Sequence, residues 1–199
     1  MQADATSRRG LIQALNVIGV AVPVIVPRSP LQCSATEVAD FVALVQAGGE
    51  VIREGLEARV REAKTLFFLR ENEKLLGIAA LKIPAAGYRE RAFEKARATV
   101  EPADYPFELG WIFVVPEARG RKLSNLLVQA AIAQAKQMPI FATSRTDNPA
   151  MHTPLRAASF VKHGHEYRSS RGNHHLALFV HTPCSNDAQP SIVPSIAVE

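Results

Sequence analysis

The stretch Ile112–Leu127, IFVVPEARGRKLSNLL, limits what this chain can fold into more than any other. Four apolar residues lead through Pro116 into Arg119, Gly120, Arg121 and Lys122, and an Ala- and Leu-rich pattern with helical spacing follows at once. A buried strand that runs straight into a helix defines a strand–turn–helix unit. The first N–H groups of such a helix have no intrahelical partner and point out of its N-terminus. Cations on the turn add charge to that anion site, so a phosphate or pyrophosphate is the guest it suits.

The rest of the chain divides into short elements by its apolar periodicity. Val20–Val26 reads as an edge strand. Ser34 followed by Glu37 is a capping box that opens a helix to about Ala47, with Val38, Phe41, Val42 and Val45 on one face; Gly48 and Gly49 end it. A second helix is expected over Glu50–Ala63, with Val51, Leu56 and Val60 inward. Leu66–Ile83 holds two apolar runs around a polar centre, the pattern of a hairpin. Tyr88–Arg97 reads as a short charged helix and Phe107–Val115 as a strand. Ser124–Met138 reads as a helix, with a stripe of Leu123, Leu127, Ala131, Ala135 and Met138. A strand at Ile140–Ser144, a helix near Ala150–Ala158 and a hairpin of Val161–Arg168 with His174–Val180 complete the order. The sum is a mixed α/β domain with a parallel strand–helix–strand crossover at its centre. It is expected over residues 20–181, after a lead-in (1–19) and before a loose tail (182–199) rich in Pro, Ser, Asn and Asp.

With 199 residues, 47% apolar and 21% charged, the chain suits one soluble domain with a substantial core. Its net charge of +4 favours anionic partners only mildly. Ser7–Val26 has the look of a twin-arginine export signal, but Gln13, Asn16 and Pro23 interrupt its apolar stretch. Pro23 and Pro27 also oppose a spanning helix. Cys33 and Cys184 lack metal or redox spacing and fit a reducing compartment. A cytoplasmic protein with no membrane partner is the expectation.

Around the opening stretch the chain resembles the GNAT superfamily of acetyl-CoA-dependent N-acetyltransferases, over roughly Val20–Val180. The family signature is a strand, then Arg/Gln-x-x-Gly-x-Gly/Ala, then a helix. Here it reads Arg119-Gly120-Arg121-Lys122-Leu123-Ser124, so Lys122 stands for the first motif glycine and Ser124 for the second small residue. VVPEARG is a common lead-in of the family. Asn148, 24 residues after Ser124, opens the segment where the family carries an Asn-initiated helix ending in Gly-Phe; Phe160 matches and Ser159 replaces the Gly.

The resemblance implies a GNAT-like, mostly antiparallel central sheet around the parallel core, with flanking helices. It implies acetyl transfer from acetyl-CoA, as cosubstrate, directly to an amine acceptor. Backbone N–H groups of about Gly120–Ser124 would hold the pyrophosphate, aided by the helix dipole and by Arg119, Arg121 and Lys122. Asn148 would belong to the same cofactor site. The strand before the turn would carry a bulge that splays it from the next strand, leaving backbone groups near Phe113, Val114 and Val115 for pantetheine. The N–H of Val115 or a neighbour would polarise the thioester carbonyl.

Glu108, at the start of the central strand, stands where many family members place a carboxylate base. The family's general acid is a Tyr at the position that Leu155 occupies here, so either His152 or Tyr167 substitutes for it or the thiolate leaves unassisted. Five of the six histidines fall between His152 and His175. A hairpin turning at Arg171-Gly172 would pair His165 with Leu178 and Ser169 with His174. His165 and His174 would then lie roughly 13 Å apart along the ladder at ~3.3 Å per residue, so no metal site is expected. Pro84–Pro106 is much longer than the turn this fold usually has there, which makes Tyr88, Arg89 and Arg91 candidate acceptor contacts. A second reading, a GNAT-fold module that binds nucleic acid or an acidic partner with little or no catalysis, follows from the missing Tyr and the basic surface. Nothing in the sequence names the acceptor or decides whether the chain pairs as a homodimer.

Overall fold

The computed structural model describes residues 22–49 and 51–183. The lead-in, the start of the expected first strand, Glu50, Cys184 and residues 185–199 lie outside them. Seven strands form one sheet: β1 (Val24–Arg28), β2 (Thr65–Glu71), β3 (Lys74–Lys82), β4 (Phe107–Val114), β5 (Ile140–Arg145), β6 (Val161–Arg168) and β7 (His175–His181). Among the described residues five α-helices accompany them: α1 (Ala35–Ala47), α2 (Leu56–Arg61), α3 (Ala86–Ala96), α4 (Leu123–Ala135) and α5 (Pro149–Ala157). The spatial order is β1-β2-β3-β4-β5-β7-β6. Every neighbouring pair is antiparallel except β4–β5, which the crossover through α4 makes parallel.

Residues 66–69 of β2 read Leu-Phe-Phe-Leu because both faces of the sheet are covered. Leu66 and Phe68 face α1 and α2, packing with Val38, Phe41, Val45, Leu56 and Val60. Phe67 and Leu69 face the other way, into a core shared with Leu123, Leu127, Ala131 and Leu155 of α4 and α5. On the α1 side of the sheet, α3 covers β5 and β7 through Phe93, which meets Phe141 edge-on at 5.2 Å between ring centroids. A groove remains between α1–α2 and α3, over the middle of the sheet.

Local sequence accounts for the helix ends. The capping box is complete, with Glu37 N–H donating to Ser34 Oγ at 3.1 Å and Ser34 N–H donating to Glu37 Oε2 at 2.9 Å. Asn148 caps α5, its side chain accepting from the Met151 N–H at 3.2 Å. Three expectations need correction. The second helix starts at Leu56 rather than Glu50, because Gly55 sits in left-handed conformation, φ 63°, and opens it. Helix α4 ends at Ala135, so Met138 leaves the buried stripe and is 45% exposed. In the last hairpin Ser169 N–H does reach His174 O, but a bulge at Gly164 slides the register, and Leu178 pairs with His163 instead of His165. Among the described residues no helix is long and apolar enough to cross a membrane.

Candidate active site

Strand β4 is interrupted in its middle. Ala80 pairs with Gly110 and Ile78 with Phe113, so Ala79 faces two residues, and Trp111 takes up the extra one at φ 52°. This is a bulge, which bends and twists its strand. Its consequence shows on the far side, where β4 pairs with β5 only at Phe107–Ile140 and Glu108–Phe141 before the two strands part. Past the bulge, Val115 N–H donates to Leu76 O at 2.9 Å. Val115 is therefore not the free donor expected at this site. By the alternation of an antiparallel ladder, Val114 turns its backbone groups away from β3 and toward the gap. Its carbonyl accepts from Arg119 Nε at 3.2 Å, and the Arg119 guanidinium lies 5.7 Å from the centroid of the Phe113 ring.

The turn that follows leads into α4 as the sequence suggests, with one difference. Lys122 is not helical but left-handed, φ 57° and ψ 24°, at the N-cap of α4. The family's glycine at this position is thus replaced by a lysine that keeps a glycine-like conformation. Among the described residues no backbone carbonyl pairs with the N–H groups of Gly120 to Ser124. Gly120 and Lys122 are exposed, Ser124 is half-buried and Leu123 anchors the turn in the core. Arg121 does not stand ready for an anion: it makes a bidentate pair with Glu71, one bond at 3.1 Å.

The parted strands open a cleft of about 600 Å³. Its lining comes from both faces of the sheet, and includes Phe113 and Asn148. At its floor lies Glu108, 4% exposed. Lys82, directly opposite on β3, reaches Glu108 Oε2 at 2.7 Å. Tyr88 donates its hydroxyl to Oε1 at 3.0 Å, and Thr143 does so at 3.4 Å. The Lys82 stem crosses above Gly110, where a Cβ would stand 2.6 Å from Cε, and its ammonium rests over the Trp111 ring at 5.1 Å. A side chain at 110 would make the Lys82 stem take another path to Glu108.

Burial, and after it the Glu108 charge, pushes the Tyr88 phenol well above its ordinary range. The same causes in the same order push Tyr167 up to about 12. Both phenols are therefore protonated donors at neutral pH. Tyr167 lines the cleft. His152 does not: its Nε2 is 2.9 Å from Arg145 O and its ring packs on Phe179, 5.0 Å between centroids. That removes His152 as a proton donor in the cleft. Of the three residues expected to meet an acceptor, Tyr88 and Arg91 line the cleft, while Arg89 lies outside the lining with a buried Nε. Among the described residues no group of three His, Cys, Asp or Glu side chains converges.

Sequence reading missed Lys82, Thr143 and Trp111. Lys82 had a partial signal, as a cation closing the apolar run LLGIAAL, but its place opposite Glu108 depends on a β3–β4 register that no short turn fixes. Trp111 carries no sequence mark of its positive φ, and Thr143 is indistinguishable from any strand threonine.

The sequence model of the Acetyltransferase (GNAT) family matches residues 38–153. No curated protein sequence matches the chain. Among solved structures the fold is similar to ribosomal-protein-alanine N-acetyltransferase from Brucella melitensis, at 17% identity over 79% of this chain and 99% of that one, TM-score 0.57. It is similar to yncA from Salmonella typhimurium, solved with its cofactor acetyl-CoA, at 14% identity over 85% and 99% of the two chains, TM-score 0.56. An acyl-CoA N-acyltransferase from Pseudomonas aeruginosa matches at 12% identity over 81% and 100%, TM-score 0.57. With more than half of its length matched by the family model and its sheet splayed beside an open helix N-terminus, this chain belongs to the GNAT acetyltransferase family.

Proposed function

We propose that this protein transfers acetyl from acetyl-CoA directly to an amine, in the cytoplasm. The observation that carries the reading is the bulge at Trp111, which parts β4 from β5 beside the unpaired N–H groups of Gly120–Ser124. Those residues fit the cofactor. Five successive N–H groups at a helix N-terminus suit a pyrophosphate, and the outward backbone edge at Val114 suits the amides of a pantetheine arm, as an added strand would. Arg119 and Lys122 supply charge, while Arg121 stays with Glu71. Bound there, acetyl-CoA contributes the activated acetyl carbon.

The chain's own groups then divide the work. Val114 N–H is placed to polarise the thioester carbonyl, which needs no side chain. Lys82, a half-buried ammonium beside the acceptor end, disfavours a protonated amine there and so favours the neutral nucleophile. Glu108 takes the proton that the ammonium must lose, through a water chain, since its oxygens are already engaged by Lys82, Tyr88 and Thr143. As the amine nitrogen bonds to the carbonyl carbon and the C–S bond breaks, Tyr167 is the cleft phenol positioned to protonate the thiolate.

Acetyl-CoA at a hundredfold over its dissociation constant should stabilise the fold by about 2.7 kcal/mol. Ser124→Glu, which sets a carboxylate against the pyrophosphate, should abolish that gain, as read by thermal unfolding. Initial rates with both substrates varied should give intersecting lines, the pattern of a ternary complex. An unaltered response in Ser124→Glu would remove the pyrophosphate site, and parallel lines would remove direct transfer.

A further inference from the structure

Helix α3 presents Tyr88, Arg91, Ala92 and Lys95 to the cleft, the i, i+3, i+4, i+7 spacing of one helical face. The Tyr88 hydroxyl touches Glu108 at 3.0 Å. Along the helix axis Arg91 stands about one turn beyond Tyr88, about 5 Å, and Lys95 about two turns, roughly 10 Å. Arg171, on the turn between β6 and β7, lines the same cleft. Among the described residues none of these three cations makes a side-chain hydrogen bond or ion pair. Glu108 is the sole carboxylate among the described lining residues, and Lys82 holds it. Among the described residues of the facing wall, Val45, Val51 and Ile52 are apolar.

Three unpaired cations along one side of a concave site focus a positive potential that draws in anions and repels cations. We propose, resting on the acetyl-transfer reading above, that the acceptor is a small amine with its own anionic group, a carboxylate or a phosphate. Arg91 and Lys95 hold the anion, and Arg171 closes on it from the hairpin turn. The amine reaches Glu108. Arg91 stands one helical turn beyond the tyrosine that touches Glu108, and its guanidinium, on a flexible stem, can reach toward an amino acid whose amine lies at Glu108 and grip the carboxylate with two hydrogen bonds. Polyamines and lysine-rich peptides meet repulsion at the same wall.

The test compares acceptors that differ only in the anion. Phenylalanine is set against phenylalaninamide, and phosphoethanolamine against ethanolamine, each in turnover and in stabilisation of the protein against heat. The amide's amine loses its proton more readily than that of the acid, so protonation alone would favour the amide. The expected result is at least a tenfold higher kcat/KM for the anionic member of one pair, with the larger ratio naming carboxylate or phosphate as the source. The ratio should shrink as salt is raised. Arg91→Gln with Lys95→Gln should bring it to within about threefold of unity, while Lys64→Gln with Lys136→Gln, exposed cations outside the cleft lining, removes equal charge and leaves it in place. Equal or better use of the uncharged member, or heat stabilisation that ignores the anion, overturns the proposal even if acetyl transfer stands. A protein that acetyl-CoA neither stabilises nor acylates through would sink the underlying reading instead, and the stabilisation by each acceptor alone still decides the question of the anion.

Discussion

The two halves of the cleft are built from different parts of the chain. At the half proposed for the cofactor, which runs from Phe113 in the cleft lining past the lining to the start of α4, the groups invoked are backbone: the bulge at Trp111, the outward edge at Val114 and the N–H groups of Gly120–Ser124. Lys122 replaces a glycine yet keeps its left-handed conformation, and Arg121 has turned away to Glu71. At the acceptor half, side chains carry everything. Lys82, Tyr88 and Thr143 converge on Glu108, and α3, a helix in the connection between β3 and β4, adds Tyr88, Arg91, Ala92 and Lys95 to the wall. A backbone site can persist while its sequence drifts, whereas a side-chain site changes with each substitution.

That contrast is most exposed at Glu108. Glu108→Gln keeps the side chain's size but loses the proton acceptor and the partner of Lys82. It should lower kcat by roughly 10²–10⁴ fold and leave the stabilisation by acetyl-CoA in place, since the cofactor half does not use it. Part of the rate should return at high pH, where more acceptor arrives deprotonated. A wild-type rate near neutral pH would make the pair with Lys82 purely structural.

The position of α3 rests on a different residue. Gly164 has φ 69°, and a Cβ there would stand 2.1 Å from the carbonyl oxygen of Ala96, the last residue of α3. Gly164→Ala should cost on the order of 3 kcal/mol from strain and overpacking combined, read by denaturant unfolding. The surviving folded protein should show a raised KM for the acceptor with an unchanged one for acetyl-CoA. Equal changes in both would mean that the two halves are not separable.

The same contrast explains what could be read from the sequence. Strands, helices and the parallel crossover follow from apolar periodicity, and the bulge and splay accompany the family resemblance carried by Arg119–Ser124. The groups proposed for the cofactor could therefore be named from the sequence, apart from which N–H faces the gap: the choice between Val114 and Val115 depends on ladder phase, and a one-residue bulge resets that phase. The acceptor half was legible only as a set of names. That Tyr88 and Arg91 face the cleft while Arg89 does not is a matter of helical rotation, set by Ala92, Phe93 and Ala96 packing on β5 and β7. Likewise His152 is lost to the site because its ring turns to Arg145 and Phe179.

Tyr167 tests the last of these assignments. Its phenol, held protonated by burial and by the Glu108 charge, lines the cleft, whereas His152 does not. Tyr167→Phe should reduce kcat by about 10²-fold, near the lower end for losing a general acid, because a thiolate also departs unaided at a lower rate. His152→Gln should change kcat by less than about threefold on the same argument from position. The reverse ranking would return the proton donor to α5.

The smallest effect is expected at Lys122, and it separates the two kinds of site most sharply. Its left-handed backbone costs a side chain about 1 kcal/mol or more that glycine does not incur, while glycine gives back roughly half to one kcal/mol in chain entropy. Lys122→Gly should therefore raise stability only slightly, by about 0.5 kcal/mol. Its effect on acetyl-CoA is the informative part. If the N–H groups of Gly120–Ser124 do the holding, removing one exposed cation should weaken binding by no more than about threefold near physiological salt, where such charges are screened. Lys122→Gln retains the strained backbone and loses only the charge, so the two variants should weaken binding equally while differing in stability. Calorimetric titration of both with acetyl-CoA decides the point. A loss beyond tenfold in either variant would show that the lysine side chain, rather than the backbone around it, holds the pyrophosphate, and the two halves of the cleft would then be built on the same principle.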